Sequence, residues 1–114
     1  MELTGKCKGD FEKWLDKKYV LNNRVEINRF KEYPEAMQYG DYVDFFDVVG
    51  ICVDIQPILD YDGNSYIKVL NYAPIIVELN TEEDLDAEVL SLDTRHEART
   101  YAINKANEIF NENK

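Results

Sequence analysis

The spacing of apolar residues changes period at Gly50, and no other feature of the chain constrains its fold as strongly. Before Gly50, residues Tyr39, Tyr42, Val43, Phe46 and Val49 recur at steps of three, one, three and three and share one stripe of a helix. After it, Ile51, Val53 and Ile55 alternate with Cys52, Asp54 and Gln56, the period-two pattern of a half-buried strand. A chain carrying both periods in separate blocks predicts an α+β domain of two layers. Pro34 suits the first turn of the helix and Glu35 its positive end, while Gly50 is a natural stop. Phe45 falls at the edge of the expected stripe, which leaves the helix more apolar surface than one face needs.

The remaining elements follow from local signals. Cys7, Phe11, Trp14 and Leu15 share a face of a first helix, with Thr4 as its expected cap and Asn22-Asn23 as its stop. Residues 24–33 read equally as a short helix or an extended link. Asp62-Gly63 predicts a tight hairpin turn. It leads into a strand from about Ser65 to Leu79 that Pro74 should bulge or interrupt with a stretch lacking ladder bonds. Thr81 to Asp86 reads as an acidic loop and Glu88 to Leu92 as a third short strand. Thr94 and Glu97 have capping-box spacing. They open a final helix to about Asn111, whose Ala98, Ala102, Ala106 and Ile109 form a narrow stripe edged by Tyr101, Ile103 and Phe110. The tail from Asn111 should fray. The expected order is α-α-β-β-β-α, one domain over residues 1–114, with a three-stranded antiparallel sheet and its helices on one face.

Charge is segregated along the chain. Residues 34–93 hold fourteen Asp and Glu against one cation, Lys68, a net −13. Residues 1–33 sum to +2 and 94–114 to +1, so the total of −10 comes from the middle. Such an imbalance speaks to solubility and partners rather than to fold. Eight Tyr, five Phe and Trp14 argue against disorder. No apolar run approaches the roughly 20 residues that span a bilayer, and MELTGKCKGD lacks a signal-peptide core, so a cytoplasmic protein without membrane contact is expected. Cys7 and Cys52 read as separate thiols in a reducing compartment.

The search for chemistry returns little. Asp41, Asp44 and Asp47 repeat at three-residue steps and could approach a divalent cation with Asp54, but a solvated helix face explains them more simply. Asp60-Tyr61-Asp62-Gly63-Asn64 lacks the later ligands of a calcium loop and fits the hairpin turn. His96 has no partner evident in the sequence, as a general base would need. Neither Ser65 nor Ser91 sits in a nucleophile elbow, and no phosphate-binding glycine loop is present. No catalytic residue, metal site or cofactor is therefore expected.

Two resemblances add to this reading. The stretches LTGKCKGDFEKWL, MQYGDYVDFFDVVGI and TRHEARTYAINKANEIFN, in that order, resemble a group of short proteins encoded by bacteriophages and prophages. The likeness implies a small accessory protein in a bacterial cytoplasm and brings no catalytic residue with it. The helix, three strands, helix order and the alanine spacing of TRHEARTYAINKANEIF are similar to double-stranded RNA-binding domains, whose basic cluster is reduced here to Arg95 and Arg99. Because phosphate contacts dominate such binding, an acidic platform argues against direct nucleic-acid binding. The leading expectation is a non-enzymatic acidic interaction module, able to mimic nucleic acid toward a basic host or defence protein. Asp41, Asp44, Asp47, Glu82, Glu83, Asp84, Asp86 and Glu88 would form its surface. The alternatives are a homo-oligomeric assembly protein and a small metal-dependent enzyme built on the Asp cluster.

Overall fold

The structure, a computed structural model, describes residues 1–21, 27–61, 67–78, 83–84 and 91–113. Three helices, α1 (Gly5–Leu21), α2 (Glu35–Val48) and α3 (Arg95–Asn113), accompany an antiparallel hairpin of β1 (Ile51–Tyr61) and β2 (Ile67–Glu78). The α+β class follows the change of period at Gly50, whose φ of +89° ends α2 in the left-handed region that glycine tolerates.

The sheet is narrower than the three expected strands. Its third member, β3 (Glu83–Asp84), pairs only with Val77 and Glu78, within the stretch that reads as an acidic loop. Of the strand expected over Glu88–Leu92, the described part contributes a single bridge, Leu92 to Tyr72, closed by two 2.8 Å backbone bonds. The sheet is thus in essence a two-stranded hairpin. Pro74 does not bulge β2; it stays in register opposite Ile55. The irregularity falls at Leu70, between the pairs Ile58–Asn71 and Leu59–Val69. Pro57 continues β1, an edge strand where its missing N–H is tolerated. The Asp62-Gly63 turn lies outside the described residues.

One face of the hairpin carries its buried residues Ile51, Val53 and Ile76, the last two directly opposite each other. Helix α3 packs on both long strands and α2 on β1, while α1 lies against the two other helices and a 3-10 helix over Ile27–Glu32. That 3-10 helix resolves part of the ambiguous 24–33 stretch, and it exists to bury Phe30. Phe11 of α1 is the hub of the aromatic core, with ring centroids of Tyr42, Phe30 and Phe45 at 4.9, 5.4 and 5.4 Å. Ala98, Ala102 and Ala106 of α3 are fully buried, the close approach that small side chains permit.

Length explains the molecule's elongation. Strands of eleven and twelve residues reach about 36 Å at ~3.3 Å per residue, whereas fourteen helical residues reach about 21 Å at 1.5 Å. The hairpin therefore outruns α2, which leaves Leu59, Val69 and Leu70 at 40–50% exposure. The longest dimension is 52 Å.

Helix α1 begins differently from the expected Thr4 cap. The Thr4 hydroxyl accepts a bond from Asn107 Nδ2 (3.0 Å), and the orphan N–H groups at this end are satisfied from α3. Thr4 N donates to Asn107 Oδ1 and Cys7 N to Asn111 Oδ1, both at 2.9 Å. Asn111 Nδ2 returns a bond to Thr4 O at 2.9 Å, so the expected fraying from Asn111 does not occur there. Gly5, at φ +59°, lets the chain pass close to that side chain; a Cβ there would lie 3.3 Å from Asn111. The start of α3 follows expectation in its Thr94 half, with Glu97 N donating to Thr94 Oγ1 at 3.1 Å.

Candidate interaction surface

The three aspartates of α2 do not share one solvated face. At 100° per residue, a step of three drifts by roughly 60°, so Asp41 and Asp47 are about 120° apart. The buried set is Asp41, Tyr42, Phe45 and Phe46, an arc turned roughly 60° from the expected stripe toward α1. Phe45, expected at the edge, is 2% exposed and packs on Phe11, Trp14 and Phe46. The same rotation carries Asp41 inside.

Asp41 is held there by Lys18 of α1, whose Nζ lies 2.5 Å from Asp41 Oδ1 and 3.5 Å from Asp44 Oδ2. The ammonium also sits 5.1 Å from the Trp14 ring centroid. This lysine occupies the place a cation would take between the first two aspartates. Among the described residues, no group of three His, Cys, Asp or Glu could hold a metal ion.

What remains exposed on this side is a different set. Asp44 and Asp47 face solvent, and partial burial followed by the Asp44 charge pushes the Asp47 carboxyl above its ordinary range. Among the described residues, no cation lies within ion-pair distance of Asp47. Cys52 of β1 is also shifted upward, by burial first and then by Asp47 and Asp54. Asp44, Asp47 and Asp54 thus form one run of negative potential from α2 across to β1. The outward strand position of Asp54 was readable from the alternation with Val53 and Ile55. Its neighbourhood with Asp47 required the α2–β1 packing.

The acidic loop lies elsewhere. The backbone of Glu83 and Asp84 pairs along the edge of β2 opposite β1, two strand spacings or about 10 Å from β1. Glu82, Asp86 and Glu88 lie outside the described residues.

His96 does have a partner: its Nδ1 stands 2.8 Å from Glu35 Oε2, a contact between the first turns of α2 and α3. The ring is exposed and forms the wall of a shallow depression with Leu92, Thr100 and Asn104. On the far side, α1 and the 3-10 helix border a cleft of about 250 Å³ floored by Leu3, Phe11, Leu15, Phe30 and Tyr42. Lys31 spans it, donating to Tyr42 Oη and Met1 O at 3.0 Å each.

No helix among the described residues is long and apolar enough to cross a membrane. Neither a family model, nor a curated protein, nor a solved structure matches this chain.

Proposed function

We propose that the protein is a non-enzymatic accessory protein of phage or prophage type that acts in a bacterial cytoplasm as an acidic interaction module. Its docking face is Asp44, Asp47 and Asp54, and its partner is a basic surface on a host or defence protein. The observation that carries this reading is the Asp44–Asp47 pair. Two like charges are held close on a rigid helix, and Asp47 has no cation beside it among the described residues. A basic partner relieves that repulsion on docking and is steered by the same field. Asp44 and Asp47 are separated by about 4.5 Å along the helix axis, a spacing open to nucleic-acid mimicry. The test is a pull-down from bacterial lysate at low and high salt, with the triple variant D44N/D47N/D54N in parallel. Capture that is lost at high salt and absent from the variant supports the module. Capture that ignores salt, or that the variant retains, rules it out.

A second reading, self-association, draws on the exposed end of the hairpin. Leu59 stands directly opposite Val69 there, with Leu70 beside them, all exposed. Light scattering decides it: a strict monomer at high concentration removes the reading.

A further inference from the structure

The hydrogen-bond parity of the hairpin settles what its free edge offers. Tyr72 exchanges both of its backbone bonds with Leu92, at 2.8 Å each, so its N–H and C=O point away from β1. Tyr72 stands opposite Pro57, and facing residues of an antiparallel pair alternate between bonded and non-bonded. Pro57–Tyr72 is therefore a non-bonded pair, and by the same alternation so are Ile55–Pro74, Val53–Ile76 and Ile51–Glu78. The ladder runs through Gln56, Asp54 and Cys52 instead, opposite Ala73, Ile75 and Val77. Neither proline takes a bond from it. Pro57 turns its nitrogen to the free edge of β1, and Pro74 turns its own to the far side of β2.

β1 has β2 on one side and, among the described residues, no strand on the other. An eleven-residue edge rich in Ile is a template for another strand, such as β1 of a second copy. A strand adding there would seek donors and acceptors from Ile51, Val53, Ile55 and Pro57. Pro57 has no N–H to give. The N–H of Ile55 already donates to Asp54 Oδ1 at 2.8 Å, from an exposed side chain one residue back. Two successive donor positions at the middle of the edge are thus closed, and an incoming strand would leave its facing carbonyls unpaired there. Just beyond, the irregularity between Ile58 and Leu59 breaks the regular ladder. We infer that Asp54 and Pro57 guard the free edge of β1 against strand addition by a second copy of this chain. This role of Asp54 is separate from its place in the acidic docking face: the guard uses the carboxylate as a hydrogen-bond acceptor, the docking face uses its charge.

The test is sedimentation velocity of the full chain and its variants over a concentration series, paired with amide hydrogen exchange at Val53, Ile55 and position 57. P57V restores one donor, and D54A frees the other. A restored bond shifts an equilibrium by roughly two- to tenfold, and a twofold-symmetric dimer gains each bond twice. P57V/D54A should therefore self-associate at least about tenfold more tightly than the wild-type chain, with edge amides exchanging more slowly as concentration rises. Each single variant should fall between. D54N removes the charge but keeps an oxygen acceptor for the Ile55 N–H, so it should behave as wild type. Capture of a basic partner should respond in the opposite way, weakened by D54N and unchanged by P57V, so the two readings fail independently. Self-association through Leu59, Val69 and Leu70 would leave the edge amides unprotected. No gain in association by P57V/D54A, association of D54N equal to that of D54A, or wild-type association that protects the Val53 and Ile55 amides would overturn the guard. Thermal melts identify the folded variants; where the double variant is unfolded, P57V and D54A alone decide, and wild-type behaviour of both overturns it.

Discussion

Replacing Lys18 by Met tests whether the α1–α2 contact is an energetic lock. The ammonium is 2.5 Å from Asp41, whose side chain is 6% exposed, while that of Lys18 is 25% exposed. Removing one partner of a fully buried pair costs about 3–5 kcal/mol, and disrupting an exposed pair about 0.2–1 kcal/mol. A buried acid facing a quarter-exposed base falls between these limits, so K18M should cost about 2 kcal/mol. For a chain of this length, that corresponds to a fall in Tm of roughly 6–12 °C. Trp14, the only tryptophan and a direct neighbour of the ammonium, supplies the fluorescence signal for denaturant unfolding. Two controls interpret the result. K6M breaks an exposed pair with Asp10 and should cost under about 0.5 kcal/mol. K18M/D41L removes both charges and should be more stable than K18M alone, because an apolar side chain replaces a buried carboxylate that has lost its lysine. A K18M loss no larger than that of K6M would refute the reasoning that the Lys18–Asp41 contact locks α1 to α2.

Three further outcomes follow from the same geometry. N107A leaves the Thr4 N–H without its partner, and Thr4 Oγ1 with only a 3.4 Å bond from Asn111 Nδ2, at a 7%-exposed site; it should cost about 1–3 kcal/mol, with N111A near 1 kcal/mol, both read from denaturant midpoints. Cys7 and Tyr39 each ionise near 12 in the folded protein, against 9 and 10 as ordinary values. Their raised values favour the folded state fully at neutral pH, and that contribution is lost as pH rises from 9 toward 12. Midpoints should therefore fall over this window, and Y39F should flatten the part above pH 10. Thiol labelling followed by mass spectrometry should modify half-buried Cys52 before Cys7, which is fully enclosed and held neutral by burial, with Asp10 adding to the shift.

Local signals in the sequence carried as far as elements whose causes are local. Gly50 ends α2, Thr94 caps α3, and the alanine stripe of α3 is buried, each within a few residues of its own signal. Two of the departures have distant causes, and one comes from an element too short to carry a pattern. The orientation of α2 depends on α1 covering it from one side, which no pattern within residues 34–50 records; hence Phe45 and Asp41 turn inward. The clamp on Thr4 spans more than a hundred residues and uses Asn107 and Asn111, the second of which reads as the start of a polar tail. The two-residue β3 has too few positions to show an alternation, so an expectation built on periodicity places the third strand where Leu92 makes only one bridge.

The same distinction decides what the −13 block can do. A charge count treats its acids alike, yet packing sorts them. Asp41 is spent inside on Lys18, Asp44, Asp47 and Asp54 line the α2–β1 side, and Glu83–Asp84 follow the other edge of the sheet. The two groups lie on opposite edges of the sheet, so for a partner docked on the α2–β1 side their contributions to binding should separate. For a captured basic partner, D44N, D47N and D54N should each reduce affinity severalfold, more strongly at low salt, whereas E83Q/D84N should change it by less than about twofold. Equal losses from both sets would mean that the partner responds to net charge alone. In that case the acidic middle of the chain sets solubility and long-range attraction, and the α2–β1 face has no special place in it.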